Sequence, residues 1–236
     1  MRRGILLICS MVAAFAAFWL LHTQISAKGK DLAVYLEPAP SQQIENTQQF
    51  PFNIPGTTLC AERIVSYDGW VAEGEIGFEA TNTAALLLYN YGTNGITEAE
   101  IMLESGAVQL VFAVDTIPAG ERVLVPEKTG KCYGPTNFTA YSGWQRDDNE
   151  DWLQETRLRL GFPDMGCITV TNLTDQILHG ITLHYKNYLP EASFYVGGKT
   201  NKYYVERIEP GETICIYPLN YAFGYSKIAR IYMDNP

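Results

Sequence analysis

The stretch Ile208-Glu209-Pro210-Gly211-Glu212 has an earlier counterpart in Ile117-Pro118-Ala119-Gly120-Glu121, and an apolar run follows each of them. The same two apolar runs precede each stretch, one ending in asparagine and one reading Ile-x-Leu. They cover 88–90 and 101–103 in the first copy, and 170–172 and 181–183 in the second. The order and the turn residues match, and only the loop lengths differ. The sequence therefore predicts one structural unit that is used twice.

The repeated unit is predicted to be all-β. Helical periodicity is absent, whereas apolar runs of strand length recur at roughly 10–15-residue spacing. In the first copy, 101–103 and 108–112 are separated by Ser105-Gly106 and predict a hairpin. In the second copy, Ile168 and Val170 alternate with polar residues. The strands predicted there are 156–160, 167–171, 180–186, 203–208, 213–217 and 227–233.

Each copy has about the size of one β-sandwich domain, on the order of 80–90 residues. We define unit one as residues 57–145 and unit two as residues 156–236. The acidic stretch 146–155 is interpreted as a linker between them, and 28–56 as a stalk, because few apolar residues recur there.

Residues 1–27 are predicted to be an uncleaved signal-anchor helix. The run Gly4–Leu21 has no charged residue and would reach about 27 Å as a helix, close to the hydrocarbon thickness of a bilayer. Arg2 and Arg3 favour a cytoplasmic N-terminus. A cleaved signal peptide is the alternative. In both cases the rest of the chain is expected outside the cytoplasm.

Composition restricts the class of partner. The apolar content of 47% is that of a globular protein, and the formal net charge is −9. An acidic surface repels phosphate backbones, so we expect no nucleic-acid partner. The predicted partners are the membrane, through the N-terminal helix, and a cell-surface protein or glycan.

The cysteines after the apolar run allow three pairings, and the sequence does not choose among them. They are Cys60, Cys132, Cys167 and Cys215. In opposite sheets, Cys167 and Cys215 would point away from each other, since both lie off the aliphatic faces of their strands. Ala85 and Leu124 stand at the matching places in unit one. We therefore favour free thiols over that disulfide.

No catalytic, cofactor or metal site is predicted. His179 and His184 are five residues apart on a strand and so lie on opposite faces. Val196–Thr200 lacks the spacing of a phosphate-binding loop and is interpreted as a tight turn with positive φ. The acidic residues 147–151 lack the glycine and the closing glutamate of a calcium loop. The chain is therefore expected not to be an enzyme.

Tyrosine is enriched in unit two, which also carries an insertion around 188–199. Aromatic faces stack on sugar rings or anchor protein partners. The alternative is that tyrosine simply suits half-buried strand positions. The predicted binding surface comprises Tyr188, Phe194, Tyr195, Lys199, Tyr221 and Tyr225.

The outward positions of unit one are apolar at Ala85, Leu87 and Leu124. An apolar second face of a sheet must be covered. We expect this face to pack against the 50–80 segment, against unit two or against another subunit.

Four stretches of unit two carry a resemblance to a known group: Asn172–Asp175, Tyr185-Lys186, Val196–Thr200 and Gly224–Lys227. With the two Pro-Gly-Glu-type turns, the chain resembles signal-anchored surface proteins of Gram-positive bacteria with tandem immunoglobulin-like β-sandwich domains. The resemblance implies a fold, two such domains after one transmembrane helix, and a location at the cell membrane. It implies no activity.

The function expected from these features is a membrane-anchored extracytoplasmic scaffold without catalytic activity, which presents two β-sandwich modules for binding or assembly. The alternative is a carbohydrate-binding accessory module that uses tyrosine faces of unit two. An exposed coplanar row of tyrosines would favour the second hypothesis.

Overall fold

The computed structural model describes residues 50–74, 76–105, 107–132, 134, 138–148, 156–163 and 166–234. The predicted signal-anchor, most of the predicted stalk and the linker residues 149–155 lie outside the described residues. Within these ranges every regular element is a strand, and no helical segment has the length and hydrophobicity that a membrane crossing requires. For the described residues, the prediction of an all-β fold is confirmed.

The strands of unit one are β1 (Phe52–Asn53), β2 (Leu59–Glu73), β3 (Ile76–Asn90), β4 (Gly95–Ser105), β5 (Val108–Val114), β6 (Arg122–Pro126) and β7 (Ala140–Asp148). Those of unit two are β8 (Leu158–Gly161), β9 (Ile168–Asn172), β10 (Leu178–Leu189), β11 (Phe194–Ile208), β12 (Thr213–Ile216) and β13 (Ser226–Met233). The hairpin predicted around Ser105 is confirmed, since β4 pairs with β5. Strand β7 continues three residues past 145, into the predicted linker.

Three sheets form from these strands. A seven-stranded sheet has the order β1-β2-β3-β6-β11-β10-β13, and two three-stranded sheets have the orders β5-β4-β7 and β12-β9-β8. The long sheet runs through both units, because β6 of unit one pairs in parallel with β11 of unit two, Val123 opposite Tyr195 and Leu124 opposite Val196. The other strand pairs of these sheets are antiparallel.

Each three-stranded sheet packs on one half of the long sheet. In unit one, Ile101 and Leu103 of β4 point into a core shared with Leu86 and Leu88 of β3, and the intervening Met102 lies on the opposite face. The period-two alternation places apolar residues on the inner face of each layer. This layered arrangement is consistent with a β-sandwich.

Unit two repeats this layering. Ile168 and Val170 of β9 meet Ile181 and Leu183 of β10 in a second core. The alternation predicted for the cysteine-bearing strands is therefore confirmed. Strands β10 and β11 are longer than predicted, so the insertion around 188–199 is mostly strand.

Asn90 ends β3 as a buried capping residue. Its side-chain Nδ2 donates to the carbonyl oxygens of Asn94 at 2.8 Å and Ile117 at 3.2 Å, and its backbone N–H donates to Glu121 at 3.0 Å. The side chain has no solvent exposure. These bonds tie the strand end to the turn at 117–121 and give buried backbone carbonyl groups a side-chain donor.

Asn172 makes equivalent bonds in unit two. Its Nδ2 donates to the carbonyl oxygens of Gln176 at 2.7 Å and Ile208 at 3.1 Å, and its backbone N–H donates to Glu212 at 3.0 Å. The side chain is again fully buried. The two copies of the repeated sequence pattern therefore adopt the same local structure.

The outer face of unit one is covered from two directions. Ala85, Leu87 and Leu124 form one buried cluster with residues of the β2–β3 hairpin and of unit two. The hairpin contributes Val65, Tyr67, Val71 and Ala80, and unit two contributes Leu189, Phe194, Val196 and Tyr225. The prediction that this apolar face packs against the 50–80 segment and unit two is confirmed.

Candidate functional site

The predicted binding surface contains two residues that the structure buries. Phe194 and Tyr195 open β11 directly after the turn from β10 and are 3% and 1% exposed. Phe194 lies in the cluster on the outer face of unit one, whereas Tyr195 points to the opposite side and enters the core of unit one. Both side chains therefore pack against unit one in this conformation.

Tyr188 lies against Tyr195 in an edge-to-face arrangement, with ring centroids 5.2 Å apart. The Lys227 ammonium lies 4.8 Å from the centroid of the Tyr188 ring and 2.6 Å from a carboxylate oxygen of Glu121. Burial, followed by the nearby charge of Glu121, raises the pKa of Tyr195. These aromatic residues connect the two units.

The other predicted residues are spread over different surroundings. Tyr221 is half-buried against Tyr185, with centroids 6.0 Å apart, and burial raises its pKa. Tyr225 is half-buried, and its carbonyl accepts a hydrogen bond from the Tyr188 backbone at 2.8 Å. Lys199 is exposed. The role of these residues in partner binding stays a prediction.

Sequence reasoning missed a buried lysine at the junction of the two units. Lys186 of β10 has no exposed surface, and its Nζ donates to the carbonyl oxygens of Gly197 at 3.0 Å and Gly198 at 2.9 Å. The same Nζ lies 3.5 Å from a carboxylate oxygen of Asp115, which follows β5 of unit one. A buried cation needs such partners, because an unpaired charge is costly away from water.

Two carboxylates from unit one complete this cluster. Asp115 accepts hydrogen bonds from the Thr200 backbone at 2.7 Å and from the Thr200 hydroxyl at 3.1 Å. Glu73, the last residue of β2, accepts a hydrogen bond from the Gly198 backbone N–H at 2.5 Å. We name Lys186, Asp115, Glu73 and Thr200 the junction cluster. It joins three segments that are distant in sequence.

The glycines at 197 and 198 serve this junction rather than a turn, so the interpretation as a tight turn was wrong. They lie inside β11, although Gly197 does have a positive φ of 105°. A Cβ atom at Gly198 would lie 2.4 Å from the carbonyl oxygen of Ala113. Glycine is therefore required there by the close approach of two backbones.

Burial shifts the pKa of Lys186 in the junction cluster and that of the nearby His184. Burial lowers the pKa of Lys186, and the neighbouring Asp115 and Glu73 carboxylates oppose that shift. Burial also lowers the pKa of His184 to about 4, with further lowering by Lys202 and Arg230. His184 is therefore neutral near pH 7.

The geometry around His184 does not place a nucleophile within reach of a substrate. The Thr200 hydroxyl lies 3.4 Å from His184 Nδ1 and also contacts Asp115, but Thr200 is only 3% exposed. A nucleophile must be accessible to the bond that it attacks. The arrangement is suited to holding the two units together.

The four cysteines in the described residues are free, as favoured, but the reason given for Cys167 and Cys215 was wrong. Strands β9 and β12 are neighbours in one sheet, with Cys215 opposite Thr169, so both thiols point to the same outer face. Burial and a hydrogen bond with Cys215 raise the pKa of Cys167 to about 11. Cys167 is therefore a protonated, unreactive thiol at neutral pH.

Metal ligands do not converge in the part of the chain that the structure describes, where no group of three or more His, Cys, Asp or Glu is placed to hold an ion. Of the acidic stretch 147–151, Asp147 and Asp148 are described, and Asp148 pairs with Arg230 at 2.5 Å.

Comparison with protein-family models gives no match, and comparison with the curated proteins gives none either.

Proposed function

We propose that the chain is a non-catalytic, membrane-anchored extracytoplasmic scaffold that presents two immunoglobulin-like β-sandwich modules at the cell surface for binding or assembly. The charge-free run Gly4–Leu21 and the resemblance to surface proteins of Gram-positive bacteria support the location. The equivalent capping bonds of Asn90 and Asn172 support a duplicated module.

The observation that carries the scaffold proposal is the continuous joining of the two units. Backbone pairing between β6 and β11 extends one sheet through both units, and the junction cluster adds a fully buried lysine. Modules that hang on a flexible linker move independently. Here the two modules keep a fixed relative orientation, so their outer faces are presented to a partner at a fixed separation.

The location can be tested with thiol chemistry, because Cys132 and Cys215 are exposed. In intact cells that express the full chain, a membrane-impermeant maleimide should label these two thiols as fully as it does after permeabilisation. The triple variant Cys60→Ser, Cys132→Ser, Cys215→Ser serves as the control and should lose the label, because Cys60 is also free and only half-buried. Labelling that requires permeabilisation would contradict the proposed location.

Binding can be tested by sedimentation of the purified full chain with isolated cell envelopes from which the membrane lipid has been extracted, so that the N-terminal helix does not contribute. The expected result is saturable co-sedimentation that a protein of similar size and charge does not show. Absence of saturable binding to envelopes would rule against a surface-binding scaffold.

A further inference from the structure

Two exposed tyrosines lie on the outer face of the β11-β10-β13 part of the long sheet. Tyr204 on β11 is 60% exposed and Tyr232 on β13 is 40% exposed. Both pair with Thr182 on the central strand β10. Directly paired residues point to the same face of a sheet, so these three side chains form one row across three strands. We name Tyr204, Thr182 and Tyr232 the tyrosine row.

The row lies over the buried core of unit two. The residues beside it in sequence, Leu183 and Val205, point the other way and are buried in the core of unit two. Adjacent strands are about 4.8 Å apart, which places the Cα atoms of the two tyrosines about 10 Å apart. Two rings at that separation fit successive parts of one extended ligand better than a single compact one.

Positively and negatively charged side chains lie beside the tyrosine row. Lys202, His184 and Arg230 form the adjacent paired row on one side, and Glu206 and Asp234 lie towards Gly180 on the other. Arg230 is already engaged, since its guanidinium pairs with Asp148 and lies 5.6 Å from the centroid of the Tyr232 ring. The face therefore offers donors and acceptors without a dominant charge.

We propose that the tyrosine row binds an extended, neutral oligosaccharide, with pyranose rings stacked on Tyr204 and Tyr232. The apolar C–H faces of a sugar suit exposed aromatic rings, and its hydroxyl groups both donate and accept hydrogen bonds. Glu206 and Asp234 would repel a polyanion, and Lys202 and Arg230 would repel a polycation. This inference rests on the proposed binding scaffold and names its ligand class.

The tyrosine row differs from the surface predicted from sequence, although it lies in the same unit. The sequence signal was present, because Tyr203 and Tyr204 are adjacent and one of them must face outward on a strand. Burial then separates them, with Tyr203 packed against the core and Tyr204 open to solvent. Which of the two faces outward depends on the register between β10 and β11.

The first test is calorimetric titration of the purified full chain with soluble neutral oligosaccharides of the glucose and N-acetylglucosamine series, from one to six residues. Because the two rings are separated, we expect at least one tetrasaccharide to bind at least about tenfold more tightly than its monosaccharide. Sulfated oligosaccharides of the same lengths are titrated in parallel. Equal affinity for all lengths, no binding in either neutral series, or binding of the sulfated oligosaccharides alone would overturn the proposal.

Variants assign the binding to the row. Tyr204→Ala and Tyr232→Ala should each weaken tetrasaccharide binding at least about tenfold, whereas Tyr204→Phe should retain most of it because the stacking face remains. The matched control is Trp144→Ala, since Trp144 is 46% exposed on β7 of unit one. Binding that survives both alanine variants, or that is lost in the Trp144 variant, would overturn the assignment.

Envelope sedimentation separates this inference from the proposed function. Loss of both oligosaccharide binding and sedimentation in the Tyr204→Ala, Tyr232→Ala double variant supports glycan recognition by the row. Full sedimentation of that double variant would leave the scaffold function standing and would refute the row as its ligand site. Absence of sedimentation for the wild-type chain would refute the proposed function itself.

Discussion

Lys186 depends strongly on its surroundings, since it has no exposed surface and three oxygen partners at the junction. Lys186→Ala removes the cation and leaves two buried carbonyl groups and Asp115 without this partner. We expect a loss of about 2–4 kcal/mol in the free energy of unfolding. Urea denaturation followed by circular dichroism measures the change.

The matched control for Lys186 is Lys199→Ala, because Lys199 is exposed on β11, one residue after Gly198. Its free energy of unfolding should stay within about 0.5 kcal/mol of the wild-type value. Equal effects of the two substitutions would contradict a structural role for the buried lysine.

The two capping asparagines allow a paired prediction. At a buried strand end, Asn90→Ala leaves three carbonyl oxygens without their side-chain donor, and Asn172→Ala leaves two. Each should cost about 1–3 kcal/mol in the free energy of unfolding. Gln176→Ala is the control, because Asn172 bonds to the backbone carbonyl of Gln176, which the substitution keeps. A large loss at one asparagine only would argue against equivalent roles.

The lowered pKa of His184 predicts that the stability of the folded chain depends on pH. Its pKa in the folded chain is about 4, below its usual value of 6.5, because burial and the nearby Lys202 and Arg230 disfavour the charged form, while Asp115 opposes them. Its contribution to stability is therefore complete above pH 6.5 and is lost as the pH falls from 6.5 through 4.

The measurement is the melting temperature between pH 7.5 and pH 4.5. His184→Gln should show a smaller decrease over this interval than the wild-type chain, since glutamine takes up no proton. His179→Gln, at an exposed position on the same strand, should keep the wild-type slope. Identical slopes for the His184 variant and the wild-type chain would show that this histidine does not contribute.

Strand β11 joins the two units by an unusually close backbone contact with the end of β5. Gly198→Ala would place a methyl group 2.4 Å from the carbonyl oxygen of Ala113, and backbone cannot yield as a flexible side chain can. We expect a loss of about 1–3 kcal/mol in the free energy of unfolding, measured in urea. Gly134→Ala is the control, because no atom of the described residues lies within 4 Å of the added Cβ atom there. An unchanged free energy of unfolding in Gly198→Ala would show that the two strands can move apart without loss of stability.

The elements could be predicted where the signal is local. The hairpin at Ser105 and the turns ending at Glu121 and Glu212 follow from turn residues and alternation within a few positions. Pairing between β6 and β11 could not be predicted in this way, because parallel neighbours so distant in sequence leave no local pattern. The Cys167 and Cys215 argument failed for the same reason, since alternation gives the face of a strand and not the sheet to which the strand belongs.

At the scale of the whole molecule, the junction cluster could not be foreseen, because its members come from segments that only the tertiary fold brings together. Lys186 stands in an ordinary Tyr-Lys-Asn context, and Asp115 and Glu73 lie near strand ends where acidic residues usually face water. The apolar outer positions of unit one did predict that this face packs against another segment. Which segments pack there depends on the length of the β2–β3 hairpin and on the position of β11.

The continuous sheet predicts that the two units unfold together. Calorimetry of the purified chain should give one transition with equal calorimetric and van't Hoff enthalpies, because β6–β11 pairing, the junction cluster and the buried outer face of unit one all break when either unit unfolds. Lys186→Ala weakens the junction and should lower the midpoint temperature of this transition. A ratio of calorimetric to van't Hoff enthalpy above one in this variant would show that the two units unfold partly independently. Two separate transitions in the wild-type chain would mean that the units fold independently, and the fixed presentation of their outer faces would no longer follow.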